Sequence, residues 1–285
     1  MPLFGAHMSI AGGYHLAVEE AFKQGCDVVQ LFTKNNSQWR AKPILPDEES
    51  KFAAALADRK IAHPISHASY LINLASPDPA LREKSIDGML VELARADQLQ
   101  IPYVVVHPGA YVTATAEEGI ANIAASIDEL HRRAATGKAQ VTLELTAGQG
   151  SCLGHRLEQL AAMIHLVAQP ERIAICVDTC HAFAAGYDLR DSKAYANFWR
   201  QFDDLLGLSR LKAIHLNDSK RELGSRVDRH EHIGRGQLGP EAFRRLLRDK
   251  RFRAIPMYLE TPKGDHEGEP WDIINLRTLR DLAKP

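Results

Sequence analysis

Eight apolar runs of strand length recur along this chain with helical stretches between them. That alternation limits the fold more than anything else in the 285 residues. The runs are "LFGAH" (3–7), "DVVQLFT" (27–33), "AHPISHAS" (62–69), "YVVVH" (103–107), "QVTLEL" (140–145), "RIAICVD" (172–178), "LKAIHLN" (211–217) and "IPMYLE" (255–260). Those rich in Val, Ile and Leu suit parallel strands covered on both faces. Between them, stretches such as 78–100 and 117–135 return an apolar residue every three or four positions, as an amphipathic helix does. No Pro/Ser/Gly-rich linker, low-complexity segment or internal repeat interrupts the pattern. The expectation is an α/β fold, a (β/α)8 TIM barrel forming a single domain over residues 1–285, with its active site at the C-terminal ends of the strands.

What terminates the runs is more specific. His7, His67, His107, Glu144, Asp178, His215 and Glu260 stand at or near the ends of seven different strands, and in a barrel those ends converge on one face. A lone histidine or carboxylate there is more often a hydrogen-bonded structural residue than a ligand. A constellation is harder to explain that way. Crowded together, Glu144, Asp178, Asp228 and Glu260 would repel one another unless protonated or neutralised by cations. Imidazoles with carboxylates, and no thiolate pair, form a ligand set for zinc or manganese.

Composition removes several alternatives. The formal net charge of −1 argues against a protein that holds nucleic acid through overall basicity, while leaving room for a local basic face. No stretch is apolar enough to cross a membrane, and the first residues do not read as a secretory signal, so a cytoplasmic protein is expected. The four cysteines, Cys26, Cys152, Cys176 and Cys180, form no C-x-x-C pair and read as reduced, small apolar groups. "GRGQLG" (234–239) imitates a dinucleotide fingerprint, but "VDRHEHI" rather than an apolar strand precedes it.

Three longer motifs narrow the choice: "HASYLINLASP" from His67, "CVDTCHAFAAGYD" over 176–188, and "HLNDSKRELGSRVDRHEHIGRG" over 215–236. With "LFTKNNSQW", "VHPG" and "TAGQG", they make the whole chain resemble the endonuclease IV family of zinc-dependent apurinic/apyrimidinic (AP) endonucleases. The resemblance implies three zinc ions, with manganese replacing zinc in part as an open alternative. One ion would be held by His67, His107 and Glu144, a second by Glu144, Asp178, His215 and Glu260, and a third by His181, Asp228 and His230. The spacing agrees, since Asp228 and His230 are two apart and an extended backbone points both to one side. Six positive charges against four carboxylates would leave a mouth able to attract a phosphodiester.

The implied reaction is hydrolysis 5′ to an abasic nucleotide in duplex DNA, with Glu144 bridging two ions and orienting the nucleophile. Lys34, Gln38 and Trp39 in the loop after the second run, Tyr70 and Leu71 after the third, and Arg226 and Arg229 in the 224–236 loop are the expected DNA contacts. The bland reading for Trp39 is that it closes the barrel top. His7 is expected to hydrogen-bond to a ligand or to phosphate rather than bind metal. Two positions depart from the family pattern: Ser37 stands where some members carry arginine, and Leu145 where asparagine is common. Monomeric action is expected. A metal-dependent sugar isomerase or epimerase on the same barrel is the alternative; His181, Asp228, His230 and the arginines around them favour the nuclease.

Overall fold

The computed structural model describes residues 2–284; Met1 and Pro285, the two ends of the expected domain, lie outside the described residues. Each of the eight runs forms a strand: β1 (Phe4–Met8), β2 (Val28–Phe32), β3 (Ala62–His67), β4 (Tyr103–Val106), β5 (Gln140–Leu145), β6 (Ile173–Asp178), β7 (Leu211–His215) and β8 (Met257–Leu259). They pair in parallel in chain order, and β8 returns to β1 to close the barrel.

Around it run α1 (Tyr14–Lys23), α2 (Pro46–Arg59), α3 (Pro79–Gln98), α4 (Ala116–Arg133), α5 (Leu157–Leu166), α6 (Thr179–Ala184), α7 (Ser192–Leu206), α8 (Gly239–Arg248) and α9 (Trp271–Ala283). Local chemistry sets where the two longest begin. Asp78 caps α3 by accepting from the N–H groups of Ala80 and Leu81, with Pro79 at the first helical position. Thr115 and Glu118 form a capping box at the start of α4. None of the helices among the described residues is long and apolar enough to cross a membrane.

Outward-facing strand residues join the helices in one continuous apolar layer, while Val28, Ile65, Val105, Cys176, Ala213 and Tyr258 make a separate plug inside the barrel. Two residues beyond each plug residue, the same inward face turns polar: Gln30, His67, His107, Asp178, His215 and Glu260. Thus the apolar plug becomes the floor of a polar mouth.

Over that mouth folds the loop between β7 and α8. Asp218 and Ser219 pair antiparallel with Glu231 and His230. The buried Asp218 carboxylate then gathers the return path, accepting from the N–H groups of Ser219, Gly236, Leu238 and Gly239 at 2.7, 3.0, 2.9 and 3.3 Å. Only glycine fits at 236, because a Cβ there would stand 2.4 Å from the Ser219 carbonyl oxygen and 2.5 Å from Asp218 Oδ1.

Candidate metal centre

Strand register brings the strand-end residues together. Asp178 of β6 lies beside His215 of β7, and His7 of β1 beside Gln30 of β2. Glu144, fully buried, is the hub. Its Oε2 lies 3.3 Å from His67 Nε2 and 3.1 Å from His107 Nε2, and its Oε1 lies 2.9 Å from His215 Nδ1. Glu260 Oε2 is 3.2 Å and Asp178 Oδ2 is 4.0 Å from the same His215 nitrogen.

A further group stands beside these. Asp228 faces His181 Nε2 and His230 Nε2, each at 3.1 Å, and His230 Nε2 is 3.7 Å from Asp178 Oδ2. Donor atoms lie within 4.8 Å of one another in each of three sets: His67, His107 and Glu144; Glu144, Asp178, His215 and Glu260; and Asp178, His181 and His230. Consecutive sets share a member, Glu144 between the first two and Asp178 between the last two. The result is a continuous row of potential metal ligands.

The imidazoles are oriented from behind. His67 Nδ1 donates to the Ala68 carbonyl at 2.8 Å, His181 Nδ1 to Leu145 at 3.0 Å and His230 Nδ1 to Glu260 at 3.1 Å. His215 Nε2 donates to Gln30 Oε1 at 2.7 Å. Each of these bonds holds the proton on the rear nitrogen, so the other ring nitrogen is the one that would give up its proton and present a lone pair to a metal. His181 Nε2 and His230 Nε2 are buried without a hydrogen bond, although carboxylate oxygens lie close. Nitrogen and carboxylate oxygen lie 3.1 Å apart there with no hydrogen bond between them. That is the geometry a cation would complete.

Charge follows the same pattern. Burial alone raises the Glu144 carboxyl pKa, but His215, His107 and His181 hold it well below the usual carboxylate range. Burial likewise disfavours a charged His181, yet Asp178, Asp228 and Glu144 raise its pKa well above the usual value. His230 is raised to about 9, with Asp178 and Asp228 outweighing burial. The mouth therefore stabilises positive charge, whether protons or metal ions carry it.

His7 stands 3.7 Å from Glu260 Oε1 without a hydrogen bond to it; its Nδ1 accepts from Gln30 Nε2, and its Nε2 is buried without a partner. Sequence reasoning passed over Gln30 itself, which also donates to Glu260 Oε1 at 2.5 Å. It missed Asn217 too, which donates to Asp178 Oδ2 at 2.6 Å and accepts the Glu260 N–H at 2.9 Å. Strand parity was the available signal for Gln30, the inward residue at the same level as the histidines. Leu145, at a position that departs from the family pattern, points its side chain into the outer apolar layer and offers the site only its carbonyl. The four cysteines are free thiols, and burial pushes Cys180 up to about 12.

The expected DNA contacts divide. Tyr70 is 62 % exposed, its ring 5.4 Å from that of His67, and it borders a cleft of about 570 Å3 shared with His107, Gln149, His181, Asp228 and Arg229. Gln38, Arg226 and Arg229 are exposed, and Leu71 is half-buried. Arg226 reaches His155 Nε2 at 3.0 Å. Lys34 corrects the expectation. Its ammonium is buried, 3.3 Å from Glu92 Oε1 and bonded to the Gln38 carbonyl at 2.7 Å, so it braces its loop instead of offering a free charge to phosphate. Trp39 is half-buried against Gly88 of α3, with Lys84 over its ring at 4.6 Å, which favours its bland reading as a closing residue. A larger cavity of about 950 Å3, between the C-terminal ends of α3 and α4, gathers no ligand set, so size alone points to the wrong face.

Fold and site define a closed parallel barrel with a row of potential metal ligands at its mouth. A family model described as a xylose isomerase-like TIM barrel matches residues 18–282. A D-tagatose 3-epimerase-like protein superposes with a TM-score of 0.73 at 18 % identity, covering 98 % of this chain and 96 % of that one, a likeness of fold alone. Endonuclease IV from Thermus thermophilus superposes with a TM-score of 0.86 at 36 % identity, covering 99 % of this chain and 98 % of that one. A probable endonuclease 4 from Chloroflexus aurantiacus is 49 % identical over 284 residues, 100 % of this chain and 99 % of its own length. The chain belongs to the endonuclease IV family of DNA-repair AP endonucleases.

Proposed function

We propose that this chain, acting as a cytoplasmic monomer, hydrolyses the phosphodiester on the 5′ side of an abasic nucleotide in duplex DNA, leaving a 3′-hydroxyl and a 5′-deoxyribose phosphate. The observation that carries the proposal is the row of ligand sets joined through Glu144 and Asp178, with Asp228 3.1 Å from both His181 and His230 at its end. A single divalent cation would offset only two of the four carboxylate charges and leave ligand sets along the row unfilled. Three zinc ions, with manganese replacing zinc in part as an alternative, suit the donor set and the two buried imidazole nitrogens that lack a hydrogen bond. His67, His107 and Glu144 would hold the first ion; Glu144, Asp178, His215 and Glu260 the second; His181, Asp228 and His230 the third. Bound zinc supplies a nucleophilic water at neutral pH and stabilises charge on the phosphoryl oxygens.

The chain's own groups supply the rest. Glu144 fixes the imidazoles gathered around it and orients the nucleophile. Tyr70 and Arg229, which border the cleft, together with Leu71, Gln38 and Arg226 on neighbouring loops, contact the duplex, Tyr70 and Leu71 against the base stack and the others along the backbone. His7 steadies Glu260 through Gln30, whose Nε2 donates to both. An abasic position has already lost stacking and pairing, so turning its sugar outward costs less than at an intact nucleotide.

Incision of a labelled duplex carrying one abasic site, run beside the intact duplex and a ketose, tests the proposal. The expected result is a single cut 5′ to the lesion with a 3′-hydroxyl end. Conversion of the ketose without incision would establish the epimerase alternative.

A further inference from the structure

The loop between β2 and α2, residues 33–45, has no regular secondary structure, yet three residues of one α3 face hold it. Arg95 donates to the Thr33 carbonyl from Nη2 at 2.7 Å and to the Lys42 carbonyl at 2.7 Å, and Gln98 donates to the Ile44 carbonyl at 3.1 Å. Glu92 is the third, and it also reaches the next loop. Its Oε2 accepts from Thr33 Oγ1 at 2.8 Å, and its Oε1 accepts from the Ser69 N–H at 3.1 Å while facing Lys34 Nζ at 3.3 Å. Ser69 Oγ in turn donates to the Asn36 carbonyl at 2.5 Å and accepts the Leu71 N–H at 3.3 Å. Glu92 is 1 % exposed and Lys34 6 %.

A buried ion pair is a poor device for stability, because desolvation offsets most of the Coulomb gain; its clearest uses are fixing register and geometry. Here the pair lies at the junction of the two loops that carry Gln38 and Tyr70. We propose that Glu92 is a positioning residue for substrate recognition: its carboxylate locks the loop after β2 to the loop after β3, so that Gln38 and Tyr70 meet the abasic strand as one rigid unit. The inference rests on the DNA-contact role given to those loops above. Glu92 touches neither the ligand row nor the substrate, so its loss acts on recognition, not on metal binding.

The test is fluorescence anisotropy of the metal-loaded full chain with a labelled duplex whose abasic analogue is flanked by a non-hydrolysable methylphosphonate. An undamaged duplex of the same sequence is measured beside it. Glu92→Gln keeps the side-chain shape but removes the charge, and is expected to raise Kd for the abasic duplex at least about tenfold. Its Kd for undamaged duplex and its zinc content should stay at wild-type values. Thr33→Val deletes one bond to Glu92 without stranding a charge, keeps the test decisive should Glu92→Gln fail to fold, and is expected to raise Kd about threefold. Leu93→Ala, on the same helix, lowers stability while leaving the network intact, and should bind as wild type below its melting temperature. The inference is overturned if folded Glu92→Gln and Thr33→Val bind the abasic duplex as tightly as wild type, or lose no more affinity than Leu93→Ala. A wild-type chain with no preference for the abasic duplex would overturn the functional reading, and this inference with it.

Discussion

Glu144 is the residue on which the mouth turns, since four imidazoles, from β3, β7, α6 and the loop after β4, converge on its two oxygens. Glu144→Gln preserves volume while removing the charge that those imidazoles share. The variant is expected to keep its far-UV circular dichroism and to lose at least about 100-fold in incision rate. Near-wild-type incision by a variant of verified metal content would contradict the role. The histidines make a second prediction. His230, raised to about 9 by Asp178 and Asp228, is protonated at pH 7 to 8 before a metal arrives and must be neutral to bind one. Metal uptake should therefore release protons at neutral pH, release fewer above pH 9, and strengthen as pH rises toward 9. Calorimetry in buffers of different ionisation enthalpy reads the number released; no proton release at pH 7 would count against His230 as a ligand.

At the scale of elements, the β7–α8 loop depends on one buried carboxylate. Asp218→Ala would strip four backbone N–H groups of their acceptor, at a cost on the order of 3 kcal/mol. Because the same loop carries Asp228 and His230, the variant is expected to bind one metal fewer per chain in elemental analysis, with the other two retained. Full metal content in a folded variant would show that the loop holds its ligands without the clasp. How legible these elements were in the sequence depended on what each residue advertises. Strand-end histidines and carboxylates announce themselves against Val, Ile and Leu. Gln30 does not, being neutral, although its inward parity matches theirs. Lys34 looked like a phosphate contact because a lysine in a polar loop normally faces water; Glu92, its partner 58 positions on, sits in a helix whose spacing gives no hint of burial beneath that loop. Asp218 resembled any loop aspartate until the returning backbone closed on it.

For the molecule as a whole, the barrel provides a rigid plug of Val28, Ile65, Val105, Cys176, Ala213 and Tyr258, and every active group stands one layer above it or in the loops beyond. A D-tagatose 3-epimerase-like protein shares the fold, so on the proposed function specificity resides in those loops, above all the one that brings Asp228 and His230 over His181. The barrel itself was readable from eight apolar runs, because burial on both faces demands them. Side-chain pairing across its rim was not, because it joins residues far apart in the chain. The most direct measurement is a zinc titration of metal-free protein, with bound ions counted by native mass spectrometry and incision of abasic duplex followed on the same samples. Three zinc ions per chain at full activity, with incision absent from the one-ion species, is the predicted result; full activity with one ion per chain would contradict it.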